Sequence, residues 1–530
     1  MPLAPYTGAW GRSQAFHLLR RTTFGPRRAD VTHVTSVGMA AAVAEILTVP
    51  TGGITSPPIN DYSSTTPDPN VAYGATWVNA PYDAAYNFPR LQSLRCWWFE
   101  QMITEGRSIL QKMIFFYQNH LPVGIGTSVQ NHFITYEHVK LLHNHALGNF
   151  KTLIREVTLD RAMLIYLDGE DNNAAAPNEN YARELQELFT VGKELPAYYT
   201  QNDVVAASKV LTGWKVNGAT ANGNGAPFAV YLSSNGHDTT NKTFSSFYNN
   251  TVITGQSGTA GATAELDDLM TMIFNQNEVA NYIVRKLYRY FVYYKIDATI
   301  EANVIQPLAT TFRTNNYNIL PVLQELFTSQ HFYDMNQNGC IIKSPIEYMV
   351  SIAKATNVTF PAASDPYNRY RGLRNFYNVA VEAQMQIGNP PNVSGWTPWR
   401  EAPNYHELWI TADTLRTRKR FADTIANGGY LGGAVKIDVL AFTATLTAPG
   451  DPNILIDDLF ELLHTLTPDA ALKQTLKQSI LLSNQIDDYY WTTAWNNYIT
   501  NPTTTNTNTV KNRLRDLYIA ILNIAEAHLA

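Results

Sequence analysis

Residues 90–119 form an unbroken helical pattern rich in Trp, Phe, Leu and Met. A helix apolar on most of its sides is stable in water only inside a larger assembly, so this stretch predicts a central helix wrapped by others. The rest of the chain supplies them. Helical periodicity recurs over 14–21, 38–47, 131–144, 150–158, 178–191 and 201–211, joined by short Gly- and Asn-containing connections. It resumes from 262 through 279–294, 303–314, 320–329 and 344–355, and again near 407–427, 454–465, 469–483 and 511–529. The expected fold class is mainly α, a multi-helix, bundle-like core with long loops.

Residues 50–89 are crowded with Pro, Gly, Ser, Thr, Asn and Asp and read as a long loop, a candidate rim or lid. Between 213 and 258 the composition turns to Gly, Asn, Ser and Thr, with β-branched and aromatic pieces at 228–231 and 251–253. That combination predicts a small β-hairpin insertion with long loops. A chain of 530 residues exceeds the size at which one core stops growing. The expected division is N-terminal helices and the long loop over 1–90, a central helical core over 91–212 and the insertion over 213–260. A second helical part over 261–403 and a C-terminal helical subdomain over 404–530 complete it.

Several function classes are excluded. The net charge is −5 without a long basic run, so the electrostatic footprint of a nucleic-acid binder is missing. No stretch approaches 18 apolar residues, so the chain is not expected to span a membrane. Its opening residues lack an apolar leader, which fits a cytoplasmic protein or one exported with its leader absent. The two cysteines have no CxxC spacing, and Cys96, inside the run Cys96-Trp97-Trp98-Phe99, reads as a buried thiol. There is no GxSxG elbow, phosphate loop, GxGxxG turn or EF-hand spacing.

Five of twelve histidines, His120, His132, His138, His143 and His145, fall close together, yet none are spaced to share one helical face as metal ligands do. His132 and His138 read as helix-surface residues, and His120 as a residue at a helix C-terminus. In the helix over 178–191, Glu179 and Arg183 form an i,i+4 pair, while Glu184 points between Leu188 and Val191 into apolar surroundings. A carboxylate there needs a partner or a raised pKa, which fits a metal ligand, a general base or half of a buried ion pair. His237-Asp238 with Lys242 lies in the insertion, where an adjacent carboxylate could orient an imidazole.

Larger stretches carry a family signal. His17-Leu18-Leu19 with Thr23-Phe24-Gly25-Pro26, Lys112-Met113 with Asn119-His120, and His145-Ala146-Leu147-Gly148-Asn149-Phe150 come first. Pro177 to Leu185 with Glu187-Leu188-Phe189, Leu211-Thr212-Gly213-Trp214 and His237-Asp238 with Lys242 follow. Lys343-Ser344-Pro345 with Glu347, and Pro390-Pro391-Asn392-Val393 with Gly395-Trp396, complete the set. In this order, covering the chain to about residue 420, they resemble the bacterial family 1800 of the domain-of-unknown-function series. The family's usual Trp-His-Asn-His stands here as Tyr117-Gln118-Asn119-His120, which places weight on His120 and none on Gln118. The resemblance implies no established reaction. It does imply a partner, since members are often encoded beside a family related to sulfatases and alkaline phosphatases.

Two functional readings follow. One is a hydrolytic or oxidative enzyme using one divalent metal ion, its site between the His120 helix end, the 178–187 helix and the insertion. His120, Glu184 and His237 would be ligands or acid–base groups, Asp238 an orienting carboxylate, and Arg183 or Lys242 an anion clamp. The other is a non-catalytic surface or assembly protein that binds glycan or a protein partner through its loops and aromatic side chains. Convergence of His120, Glu184 and His237 on one pocket would separate the two.

Overall fold

A computed structural model of the chain describes residues 3–193, 199–218, 227–334 and 338–530. It is mainly α, as the periodicity requires. The apolar stretch over 90–119 folds as two helices, Asn87–Thr104 and Leu110–His120, where the pattern alone predicts one. The corner between them is built by polar capping that hydrophobic spacing does not register. Arg27 donates to the carbonyls of Ile103 and Glu105, closing the first helix. The Glu105 carboxylate and the Ser108 hydroxyl accept from the amides of Gln111 and Leu110, opening the second. Both helices are central: Phe99, Met102, Met113 and Phe115 are wholly buried. The His132–His145 helix packs on both, and Pro345–Ala355 and Pro366–Glu382 pack along the first. Most buried apolar side chains form one contiguous cluster running from Ala15 to Leu522, and Leu164, Trp214 and Ala262 form a small separate one.

The insertion holds two short antiparallel ladders. Trp214–Val216 pairs with Val230–Leu232, and Lys242–Thr243 with Val252–Ile253. The pieces over 228–231 and 251–253 therefore belong to different ladders, and residues 219–226 lie outside the described ones. No helix among the described residues is long and apolar enough to cross a membrane. Cys96 is a buried free thiol.

The Pro/Gly-rich stretch over 50–89 is fastened to the core by one buried network. The Arg90 guanidinium donates to Asp68 at 2.8 Å, both side chains fully buried, and to the Tyr62 hydroxyl at 3.1 Å. Its third contact donates to His132 Nε2 at 2.9 Å, so His132 carries its proton on Nδ1, which meets Asn87 Oδ1 at 2.7 Å. Trp77 and Trp97 add indole bonds to Ser93 and to the Ser56 carbonyl. His132 is thus a core partner rather than the surface residue its helix position suggests. The same holds for His138, buried against Asp160 at 2.8 Å. Loop composition reports polarity, and here that polarity is spent inward on bonds to the helices.

Removing one member of a buried ion pair strands the other charge, so Arg90→Met should lower unfolding free energy by about 3–5 kcal/mol. In denaturant titrations the double variant Arg90→Met/Asp68→Leu should recover much of that loss. A single-variant loss under ~1 kcal/mol would show that the pair does not hold the loop.

Candidate functional site

The six residues singled out from sequence separate into three places. His120 ends the Leu110–His120 helix and is buried. Its Nε2 donates to the Phe189 carbonyl at 3.1 Å, so the lone pair sits on Nδ1, where the Lys286 ammonium donates at 3.0 Å. Burial, with Lys286 adding to it, holds the imidazole well below its ordinary pKa. The two elements meet because the helix Asn180–Glu184 continues as a π-helical turn over Leu185–Thr190. Near its end the Leu188 and Phe189 carbonyls accept from side chains: Tyr282 and Lys286 on the first, His120 on the second. Such turns are rare and concentrate at functional positions.

Glu184 and Arg183 lie earlier on that helix. Arg183 pairs with Glu179 at 2.9 Å, as the spacing predicts, and both also bond Gln201 at half-exposed positions. Glu184 is partly buried, and its carboxyl is raised by burial and by the nearby Glu187.

The insertion residues form a third cluster around Glu265, a fully buried carboxylate on the Gly258–Phe274 helix. His237 Nε2 meets Glu265 Oε1 at 3.1 Å and its Nδ1 meets the Thr212 carbonyl at 3.0 Å. Lys242, also fully buried, donates to Glu265 Oε2 at 2.5 Å and to the Asp238 carbonyl. Asp238 is held by the amide and hydroxyl of Thr240 at 2.7 and 2.5 Å. This cluster clamps the insertion to the core, and its groups are engaged with one another.

These placements bear on the divalent metal expected from sequence. Among the described residues no group of three or more His, Cys, Asp or Glu side chains is placed to hold a metal ion. His120 directs its one lone pair at an ammonium, which repels a second cation. Both nitrogens of His237 face acceptor oxygens. Among the described residues, this donor set does not fit a divalent metal ion.

His120 instead lines a recess of about 60 Å³, roughly the room of two waters. Lys286 and Arg289 reach it from the Asn277–Phe291 helix, Glu347 from the start of Pro345–Ala355, and Arg400 and His406 from the loop beyond Gly388. Trp399 and Tyr290 supply aromatic walls. Glu347 is tied to the buried Lys112 and to the Ser344 amide in a capping box, so its charge is matched within the fold. Three of the family-like stretches thus converge here: those around Lys112 to His120, Lys343 to Glu347, and Gly395-Trp396. The closeness of the last is enforced by glycine. Gly395 has φ +83°, and a Cβ there would fall 2.3 Å from Asn119 Oδ1, which accepts from the Trp396 amide at 2.7 Å. Gln118 takes no part in the recess and instead accepts from the Gly388 amide at 2.9 Å.

The most telling group is His406, which sequence reading passed over. Its Nδ1 accepts from the Ile342 amide at 3.2 Å, so the neutral ring carries its proton on Nε2, and that buried N–H has no partner. Burial lowers its pKa to about 4. Lys286, Arg289 and Tyr290 were visible in principle as an i, i+3, i+4 face, whereas His406 sits in a short 3-10 turn over Tyr405–Trp409 and Arg400 in the loop before it, too short for any spacing rule to apply.

Two measurements follow. Lys242→Met strands Glu265 and should cost about 3–5 kcal/mol in denaturant titration; Arg183→Ala, on the surface, should cost under ~1 kcal/mol. The second concerns acid. Burial lowers His17, His132 and His528 to about 3 and His406 and His464 to about 4, against ~6.5 unfolded. At these histidines the unfolded chain therefore binds more protons, and their contribution to stability should be constant above about pH 7, fall as pH drops below ~6.5, and level off below ~3, while Lys343, lowered to about 7, adds stability as pH rises above it. A thermal midpoint unchanged between pH 7 and 5 would contradict the neutral buried histidines.

Comparison with known proteins agrees with the resemblance carried by the motifs. No curated protein and no solved structure matches the chain. A family model described as a protein of unknown function, DUF1800, matches residues 17–506. That match spans more than nine-tenths of the sequence, and the chain belongs to the DUF1800 family.

Proposed function

We propose that this protein recognises a small oxyanion group, a carboxylate, sulfate or phosphate, in the recess between His120 and His406, and acts on the molecule that carries it. The observation that carries this reading is the buried, partnerless Nε2–H of His406 in a recess whose cationic side chains outnumber its one carboxylate. An unmet buried donor costs about 1–3 kcal/mol, and an anionic oxygen is the acceptor that the surrounding Lys286, Arg289 and Arg400 favour. The small volume admits the anionic head of a ligand, with the remainder directed outward past the exposed Arg400.

A neutral imidazole that donates from Nε2 can also polarise a developing negative oxygen, the electrophilic role that suits hydrolysis of an ester. The enzyme reading is therefore kept for the recess that His120 lines, with His406 as the donor and without Glu184 or His237. The neighbour implied by the family, a protein related to sulfatases and alkaline phosphatases, remains the proposed partner.

Calorimetric titration with sodium sulfate, phosphate and acetate at constant ionic strength tests the reading. Saturable binding is expected for at least one anion, weakened roughly 10- to 100-fold by His406→Phe and by Lys286→Met, as for loss of one charge-assisted bond. Because His406 is neutral throughout, affinity for sulfate and acetate, whose own charge is constant there, should not titrate near pH 6.5. Absence of binding by all three anions, or equal binding by both variants, would sink the proposal.

A further inference from the structure

A second cleft, of about 450 Å³, opens between the Arg12–Thr22 helix and the Pro452–Leu463 helix and shares no lining residue with the His120 recess. Its size falls within the ~300–1,000 Å³ of small-molecule sites. His464, 2% exposed, forms part of its wall. The imidazole Nε2 donates to the Ile521 carbonyl at 2.9 Å, which leaves the lone pair on Nδ1, and that buried atom has no partner. Burial, reinforced by Lys343 and Arg20, lowers His464 to about 4, so this nitrogen is an acceptor at neutral pH. The situation is the reverse of His406: here a buried acceptor awaits a donor.

The charge of the lining decides which donor. Its carboxylates already have partners: Asp457 takes Lys473 at 2.7 Å, Asp458 accepts the Thr447 amide at 2.8 Å, and Glu461 is held by both arms of Arg12 at 2.9 and 2.6 Å. Arg20 is spent on the Glu461 and Leu462 carbonyls. With charges of both signs tied within the protein, the cleft selects neither an anion nor a cation. What it offers are spare carboxylate lone pairs, the His464 lone pair and the exposed Ser13 and Thr467 side chains at its edge.

We infer that this cleft is a carbohydrate-binding site for a neutral, hydroxyl-rich ligand, with His464 Nδ1 accepting from one sugar hydroxyl and Asp457 and Asp458 from others. The site is independent of the oxyanion reading, and the two fail separately.

Saturation-transfer NMR and calorimetry on the full chain with glucose, galactose, N-acetylglucosamine, cellobiose, maltose and diacetylchitobiose provide the test. At least one probe should bind saturably, a disaccharide preference pointing to polymer ends and a monosaccharide preference to free sugars. His464→Phe removes the acceptor, and Ser13→Trp plugs the mouth from an exposed position that does not disturb the core. Both should weaken binding at least tenfold, while His406→Phe leaves it unchanged. If His464→Phe does not fold, Ser13→Trp decides alone. No binding by any probe, or binding that survives Ser13→Trp, overturns the inference.

Discussion

The interior is held together at the C-terminal ends of its helices, where side-chain donors, many of them cationic, meet the carbonyls that each last turn leaves unbonded. Arg27 closes Asn87–Thr104 and Arg20 closes Pro452–Leu463. His464 and Tyr348 close Thr504–Leu522 through the carbonyls of Ile521 and Leu522. Lys286 does the same for the π-helical turn at Leu188. Backbone dipoles act beside carboxylates as partners of these cations, Arg27 also facing Asp30 at 3.8 Å, and burial shows in the acidity of several cations in the interior. Burial lowers Lys343 to about 7, Arg20 to about 9 and Arg418 to about 10. A fold that concentrates positive charge inside its helix junctions in this way makes a cavity there electropositive where carboxylates do not also line it, as Asp457, Asp458 and Glu461 line the second cleft. The His120 recess is such a cavity, which is why an oxyanion is the guest it favours.

The imidazoles of His406 and His464 follow from the same economy of backbone bonding. A main-chain group fixes one nitrogen of each ring, the Ile342 amide for His406 and the Ile521 carbonyl for His464, and so dictates what the other nitrogen can do. One becomes a donor and the other an acceptor without any change of residue type. The tautomer, and with it the class of ligand, is written by the neighbouring backbone.

Helix class and the insertion were legible because they rest on local spacing, and the Glu179–Arg183 pair because it is an i,i+4 relation. The break within 90–119 was not, since its cause is capping by Arg27, Glu105 and Ser108, polar events invisible to an apolar pattern. Burial of His132 and His138 depends on Arg90 and Asp160, partners 42 and 22 residues away. The candidate site was half legible. His120 lies in a family-like motif, but Glu265 looks like any acidic residue on an amphipathic helix, and His406 acquires meaning only when the chain brings Ile342 beside it.

The π-helical turn over Leu185–Thr190 also governs how this segment can change over evolutionary time. Such a turn is an α-helix carrying one residue more than its register allows, and removing one would rotate all that follows by about 100°. The carbonyls of Leu188 and Phe189 would swing away from their partners, and His120, Tyr282 and Lys286 would lose their acceptors together. Substitutions that preserve the backbone can accumulate here one at a time, whereas a single-codon deletion would undo three contacts at once. Segment length, more than residue identity, is the heritable character of this helix.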